Sequence, residues 1–223
     1  MHIIKWTSTT EYIIGKTNDE DLTNQKIAAF DLDDTLIKPI SGKFGKDEND
    51  WQLLNTVKDK LIELSKDHKL VIVTNQKGIS EGKIKLEVWQ QKLQNIITEL
   101  QLPFSIFVSF LDNIYRKPNT TFWNFINGNK KESFYCGDAG GLDKRKINGI
   151  NIPKDFNNTD LKFALNLSIK FIHRDEFIYG IKYDDKKYII KYPTFDNIQN
   201  NELKLITDRQ DIIIIVGFPA SGK

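Results

Sequence analysis

Short runs of β-branched and aromatic residues alternate along this chain with stretches whose apolar residues recur every three to four positions. The runs at 26–30, 70–73, 104–110, 133–137 and 169–172 read as strands. Between them, Leu53, Leu54, Val57, Leu61 and Leu64 fall on one face of a helix, and Trp89, Leu93, Ile96, Ile97 and Leu100 on one face of another. Weaker helical patterns cover 121–126 and 160–166. The run Leu70-Val71-Ile72-Val73 is apolar without alternation, as a strand covered on both faces should be. This order predicts an α/β fold: a three-layer sandwich with a mostly parallel central sheet.

Residues 1–25 read as an N-terminal extension and 26–172 as the main domain. From 173 to 211 the pattern changes. Tyr179, Tyr183, Tyr188 and Tyr192 are interspersed with Lys and Asp and interrupted by Pro193. This predicts a connecting segment with one or two strands, 188–191 the best of them. Residues 212–216 then form a strongly apolar strand running into Gly217-Phe218-Pro219-Ala220-Ser221-Gly222-Lys223.

Composition narrows the class. With 39% hydrophobic residues, 14 Phe and 4 Trp in 223 residues, a packed core is affordable and disorder is excluded for most of the length. The single cysteine, Cys136, excludes a disulfide framework and a thiolate metal cluster. A net charge of +2 permits a nucleic-acid partner without requiring one. No stretch approaches the roughly 20 apolar residues of a membrane span, and Met1-His2-Ile3-Ile4-Lys5-Trp6 lacks the apolar centre of a signal peptide. The expectation is an intracellular protein without a membrane partner, monomeric in the simplest case.

Asp31-Leu32-Asp33-Asp34-Thr35 directly follows the first of these strands. Asp31 and Asp33 are two apart, so in extended geometry their carboxylates point to the same side. Such a pair suits a nucleophile and a proton donor acting on one group; taken alone, it reads equally as an acidic turn. Thr74-Asn75-Gln76 follows the second strand. Lys117 sits in Arg116-Lys117-Pro118, where Pro118 suits the first turn of a helix. Asp138-Ala139-Gly140-Gly141 follows the strand at 133–137. Singly, Thr74 reads as a cap, Lys117 as a surface lysine and Asp138 as a turn residue. Together they lie at or soon after the carboxyl ends of successive strands, where open α/β sheets bind ligands.

This set resembles the four motifs of the haloacid dehalogenase phosphatase superfamily. The flanks Phe30 to Ile37, Ser41-Gly42-Lys43, Asp50-Trp51, Leu70 to Ile79, Arg116-Lys117-Pro118, Gly137-Asp138-Ala139, Lys154-Asp155-Phe156 and Phe163-Ala164-Leu165-Asn166 resemble the phosphatase domain of the polynucleotide kinase 3'-phosphatase family. The resemblance runs from 26 to 172 and resumes at 212–223, similar to the P-loop that opens that family's kinase domain.

The resemblance implies a Mg²⁺-dependent polynucleotide 3'-phosphatase of DNA repair, acting on DNA 3' ends through an aspartyl-phosphate. Asp31 would be the nucleophile and Asp33 the acid and base; Thr74 and Lys117 would hold phosphoryl oxygens. Asp31, Asp138 and the backbone carbonyl of Asp33 would bind Mg²⁺. Asp160 would be the last acidic ligand, with Asp155 and Asp143 as rivals. Thr35, Asn75, Gln76, Lys43, Lys83 and Arg116 would contact substrate.

The intervals 35–70 and 76–116 have no room for a cap domain, which implies an open site suited to a polymer end. Lys43, Lys46, Lys77, Lys83 and Lys85 read either as backbone-phosphate contacts or as surface lysines, and Lys144-Arg145-Lys146 either as part of a nucleic-acid path or as a solvated loop. Glu81 stands where the family usually carries a basic residue, which removes one expected DNA contact. Gly217, Gly222 and Lys223 fit a phosphate-binding loop, but without the following hydroxyl residue no kinase activity is expected of this chain. Two other readings remain: a small-molecule phosphatase of the same superfamily, acting on histidinol phosphate or a sugar phosphate, and a nucleotide-binding module without phosphatase chemistry.

Overall fold

The computed structural model describes residues 2–42, 45, 47–184, 187 and 188. Strands β1 (Lys5–Ser8) and β2 (Ile13–Lys16) precede β3 (Ile27–Phe30). A two-strand hairpin, β4 (Ile37–Lys38) and β5 (Gln52–Leu53), and helix α1 (Val57–Leu64) lead to β6 (Lys69–Asn75). Helices α2 (Lys77–Ser80) and α3 (Leu86–Leu100) lead to β7 (Ser105–Ser109), and α4 (Trp123–Ile126) leads to β8 (Phe134–Gly137). A second hairpin, β9 (Arg145–Ile147) and β10 (Ile150–Ile152), and helix α5 (Thr159–Leu167) precede β11 (Lys170–His173) and α6 (Arg174–Tyr179).

The main sheet has seven strands in the order β1-β2-β7-β6-β3-β8-β11. Five of them, from β7 to β11 in that order, are mutually parallel. β3 lies between β6 and β8, with Phe30 opposite both Ile72 and Cys136. Successive residues of a strand face opposite ways, and the two cores follow that alternation. Ala28, Phe30, Ile72 and Cys136 pack against Val57 and Leu61 of α1 and Trp89, Leu93 and Ile96 of α3. Ile27, Ala29, Val71, Val73 and Tyr135 pack on the other face against Phe122, Trp123 and Phe163. Both faces are covered, which accounts for strands without polar alternation.

The five predicted strands are present, with boundaries shifted by a residue or two. The first 25 residues do more than extend the domain. β1 and β2 form a hairpin, and β2 pairs antiparallel with β7 at the sheet edge. Strands of four residues containing Lys and Gly carry too little periodicity to be read. The helix expected to begin at Leu53 begins at Val57. Leu53 instead pairs with Ile37 in the small hairpin, and Thr56, at φ 67°, breaks the helical path. Pro118 opens no helix, since α4 starts at Trp123. Among the described residues, the interval 31–68 holds only β4, β5 and α1, and 76–104 only α2 and α3, with no inserted domain. No helix among the described residues is long and apolar enough to cross a membrane. In the expected connecting segment, 173–211, residues 174–179 form α6 rather than a strand; the expected strands at 188–191 and 212–216, the rest of that segment, Lys43, Lys46 and the loop of Gly217, Gly222 and Lys223 lie outside the described residues, wholly or in most part.

Candidate active site

β3 delivers Asp31 to the end of the sheet, where its amide donates to the Cys136 carbonyl at 2.9 Å. Asp34 takes a left-handed conformation at φ 58°, which Asp tolerates better than most residues. The turn closes with the amides of Leu36 and Ile37 donating to the Leu32 carbonyl. Ile27 and Ala29 face the core that contains Tyr135 and Phe163, so Asp31, two residues beyond Ala29, continues toward the α5 side of the sheet.

There Lys117, brought in by the loop after β7, is buried and committed. Its Nζ donates to Asp31 Oδ1 at 2.6 Å, to Asp160 Oδ1 at 2.8 Å and to Tyr135 Oη at 2.5 Å. Asn75 clamps the Lys117 backbone from both ends: its Oδ1 accepts from the Lys117 amide at 3.0 Å and its Nδ2 donates to the Lys117 carbonyl at 3.1 Å. Asn75, expected at the substrate, lines the cleft beside Gln76 and also holds the lysine loop. Thr35 is fully buried and donates to Asp138 Oδ1 at 3.3 Å, so it too supports an acid of the site.

Asp31, Asp138 and Asp160 each offer an oxygen within 4.8 Å of the others. In an octahedron with ligands at 2.0–2.1 Å, opposite oxygens stand about 4.2 Å apart, so this cluster has the size and the hard oxygen donors that a small divalent cation requires. The charges agree. Three carboxylates face one ammonium, and the two negative charges left over match one divalent ion. Burial pushes the Asp31 carboxyl up to about 7; Lys117 pulls it down, while Asp160 and Asp33 push it further up. Burial, with Asp160 and Asp31 adding to it, pushes Asp138 up to about 8. Without a cation the cluster therefore favours protonation.

Of the three candidates for the last acid, the structure brings Asp160 to Asp31 and Asp138. Its N-terminal place on α5 sets it over Gly137, and its Oδ2 accepts from the Ala139 amide at 3.0 Å. Asp143 is exposed. Asp155 is outside the group. Its Oδ2 accepts from the Gly140 amide at 3.2 Å and the Leu142 amide at 2.9 Å, and its Oδ1 pairs with Arg145 at 2.8 Å. His173 completes this support. Its Nδ1 accepts from the Asp175 amide, so Nε2 carries the proton, 3.1 Å from both the Asp138 carbonyl and Asp155 Oδ2. Arg145 also pairs with Asp175 at 2.5 Å. The basic run 144–146 thus spends its arginine on holding the loop that carries Asp138.

Asp33 has a different environment. Its side chain is 42% exposed, against 13% for Asp31. Gln76 donates to Asp33 Oδ2 at 2.7 Å and to Thr74 Oγ1 at 3.0 Å, and Lys92 of α3 lies 3.4 Å from Asp33 Oδ1. Asp33 opens onto a cleft of about 530 Å³ lined by Gln76, Lys77, Lys83, Trp89 and Lys92 among others. Lys83 and Arg116, both expected at the substrate, carry acidic partners: Lys83 pairs with Glu81 at 2.6 Å and Arg116 with Asp112 at 3.1 Å. Lys77 pairs with Asp112 at 2.6 Å.

Sequence reasoning passed over Lys92, Tyr135 and His173. Lys92 had a signal, a charged residue three positions after Trp89 on the apolar face of α3, where it is only 5% exposed. Tyr135 and His173 had none, because Tyr135 reads as an ordinary strand residue and His173 as the first residue of the connecting segment.

Residues 26–178 match the family described as Polynucleotide kinase 3 phosphatase. The chain belongs to that family. A Bifunctional polynucleotide phosphatase/kinase of Schizosaccharomyces pombe is 35% identical over 233 residues, covering 99% of this chain and 54% of its own length. Polynucleotide 3'-phosphatase ZDP of Arabidopsis thaliana is 29% identical over 197 residues, covering 78% of this chain and 27% of its own length. The chain thus spans about half the length of the first relative and about a quarter of the second. Among solved structures, a D,D-heptose 1,7-bisphosphate phosphatase from B. bronchiseptica, complexed with magnesium and phosphate, superimposes with a TM-score of 0.52 at 15% identity, covering 70% of this chain and 86% of that one. That likeness shows the fold alone, a mostly parallel sheet with helices packed on both faces.

Proposed function

We propose that this chain is a phosphomonoesterase that removes the 3'-phosphate from polynucleotide ends, DNA ends foremost, and leaves a 3'-hydroxyl. The observation that carries the reading is the split environment of the two motif acids: Asp31 buried against Lys117, Asp138 and Asp160, and Asp33 open to the cleft. Family membership and the polynucleotide phosphatases among the relatives point to the same substrate.

Lys117 engages Asp31 Oδ1, which leaves the second carboxylate oxygen to attack phosphorus. In the first step an Asp31 oxygen bonds to phosphorus, the bond from phosphorus to O3' breaks, and protonated Asp33 gives its proton to O3'. In the second, water attacks the aspartyl-phosphate, Asp33 takes the proton of that water, and phosphate leaves as the Asp31 carboxylate is restored. Thr74, whose Oγ1 accepts from the Gln76 side chain that also holds Asp33, would offer its hydroxyl to a phosphoryl oxygen. Lys117 has its three donors on Asp31, Asp160 and Tyr135, so its part is to hold the nucleophile and offset its charge.

Asp31, Asp138, Asp160 and the Asp33 carbonyl would hold a divalent cation, Mg²⁺ by its preference for oxygen ligands. When bound, it neutralises charge that would otherwise repel a phosphate dianion. A DNA-end substrate also implies an intracellular setting.

The test is phosphate release from a 3'-phosphorylated oligonucleotide with Mg²⁺. Turnover by the wild type that disappears in Asp31→Ala is expected. No turnover by the wild type, or turnover that survives Asp31→Ala, would overturn the reading.

A further inference from the structure

Tyr135 has no part in the steps above, yet it is fully buried beneath them. Along β8, Phe134 and Cys136 face one core and Tyr135 the other, which contains Phe163 of α5. Its ring meets Phe163 edge-on, with centroids 4.8 Å apart. That contact explains an aromatic residue here. It does not explain a hydroxyl.

The hydroxyl sits among three polar atoms. Oη is 2.5 Å from Lys117 Nζ, 3.0 Å from the Val73 carbonyl and 3.3 Å from Asp160 Oδ1. An ammonium only donates, so Oη accepts from Lys117 and its own proton goes to Val73, with Asp160 as the weaker partner. Val73 immediately precedes Thr74 on β6. One buried hydroxyl therefore ties the lysine, the strand end that presents the threonine, and the acid on α5. It also takes the third Lys117 donor, the other two being held by Asp31 and Asp160. Without it, a buried ammonium N–H and a buried carbonyl each lose a partner, and a group left so is costly. The ammonium then has a reason to tilt away from its place against Asp31.

We propose that the Tyr135 hydroxyl is a positioning group that fixes the Lys117 ammonium on Asp31 and couples it to the strand presenting Thr74. The proposal rests on the phosphatase reading above, in which Asp31 attacks phosphorus. Tyr135→Phe keeps the ring and its packing and removes only the hydroxyl.

The experiment combines Tyr135→Phe, Lys117→Met and the double variant, assayed with a 3'-phosphorylated oligonucleotide and Mg²⁺ and unfolded in urea. Tyr135→Phe is expected to lose about tenfold in kcat while KM moves less than about twofold. The stability costs of the two single changes should not add in the double variant. A Tyr135→Phe kcat within about twofold of wild type would overturn the proposal, and so would additive stability costs. If Lys117→Met does not fold, Lys117→Gln replaces it in the cycle. A wild-type protein without turnover would instead remove the phosphatase reading, and the urea cycle would still decide the contact.

Discussion

A Cβ added at Gly137 would lie 2.2 Å from Asp160 Oδ2 and 2.4 Å from its Cγ, so the Asp160 carboxylate fills the space a side chain at 137 would need. Gly137 ends β8, one residue before Asp138. The absence of a side chain there is what lets α5 bring its acid down onto the sheet beside Asp138 and Asp31.

Gly137→Ala is therefore expected to push Asp160 out of the cluster while leaving the strand in place. The Mg²⁺ concentration for half-maximal activity should rise by roughly ten- to a hundredfold, the range seen when groups supporting a metal site are disturbed. A Mg²⁺ titration of phosphate release checks this, and an unchanged midpoint would refute the steric account.

Asp33 faces the cleft, where Gln76 orients it. Asp33→Asn keeps a hydrogen-bonding side chain but cannot carry the proton. It should lower turnover of a 3'-phosphorylated oligonucleotide by about 10²- to 10⁴-fold. With p-nitrophenyl phosphate, whose leaving group needs little protonation, the loss in burst-phase release of nitrophenolate should be far smaller. Equal losses on both substrates would argue that Asp33 has another task.

Lys92 is buried, but its partner Asp33 reaches water. Lys92→Met removes a desolvated charge and leaves behind a carboxylate that solvent can still hydrate. The change should cost no more than about 1 kcal/mol of stability, in contrast to Lys117, whose partners Asp31 and Asp160 are buried with it. Turnover should nevertheless fall several-fold, because Asp33 then keeps only Gln76. Urea denaturation and steady-state kinetics on the same sample separate the two effects.

The buried acids set a pH dependence with a definite sign. Asp31 and Asp138 are raised to about 7 and about 8 in the folded chain, so between about pH 4 and pH 8 the folded state binds more protons than the unfolded one. Stability of the protein in EDTA should therefore fall as pH rises through that window. Added Mg²⁺ competes for the ionised carboxylates and should raise the urea midpoint more at pH 8 than at pH 5. Asp155 and Asp175 act in the opposite sense. Burial raises each, but the His173 hydrogen bond on Asp155 and the Arg145 hydrogen bond on Asp175 lead the opposing effects that outweigh it and hold both below the usual carboxylate value. Their contribution is complete above the ordinary carboxylate range and is lost only as pH falls through their lowered values.

The amino-acid sequence alone determined the alternation of strands and helices and the places of Asp31, Thr74, Lys117 and Asp138, because periodicity and residue type after a strand are local properties. It also marked Glu81 as the odd residue after the second motif, and in the structure that acid pairs with Lys83 and Lys77. Tertiary structure decided the rest. Asp155 and Asp160 are equally acidic in sequence, and only the packing of α5 over Gly137 separates a cluster acid from a loop support. Lys117 reaches Asp31 across 86 residues and Asp160 across 43. Asn75 and Thr35, expected at the substrate, also hold Lys117 and Asp138. A buried hydrogen bond depends on where its partner lies in space, and no local pattern of residues records that.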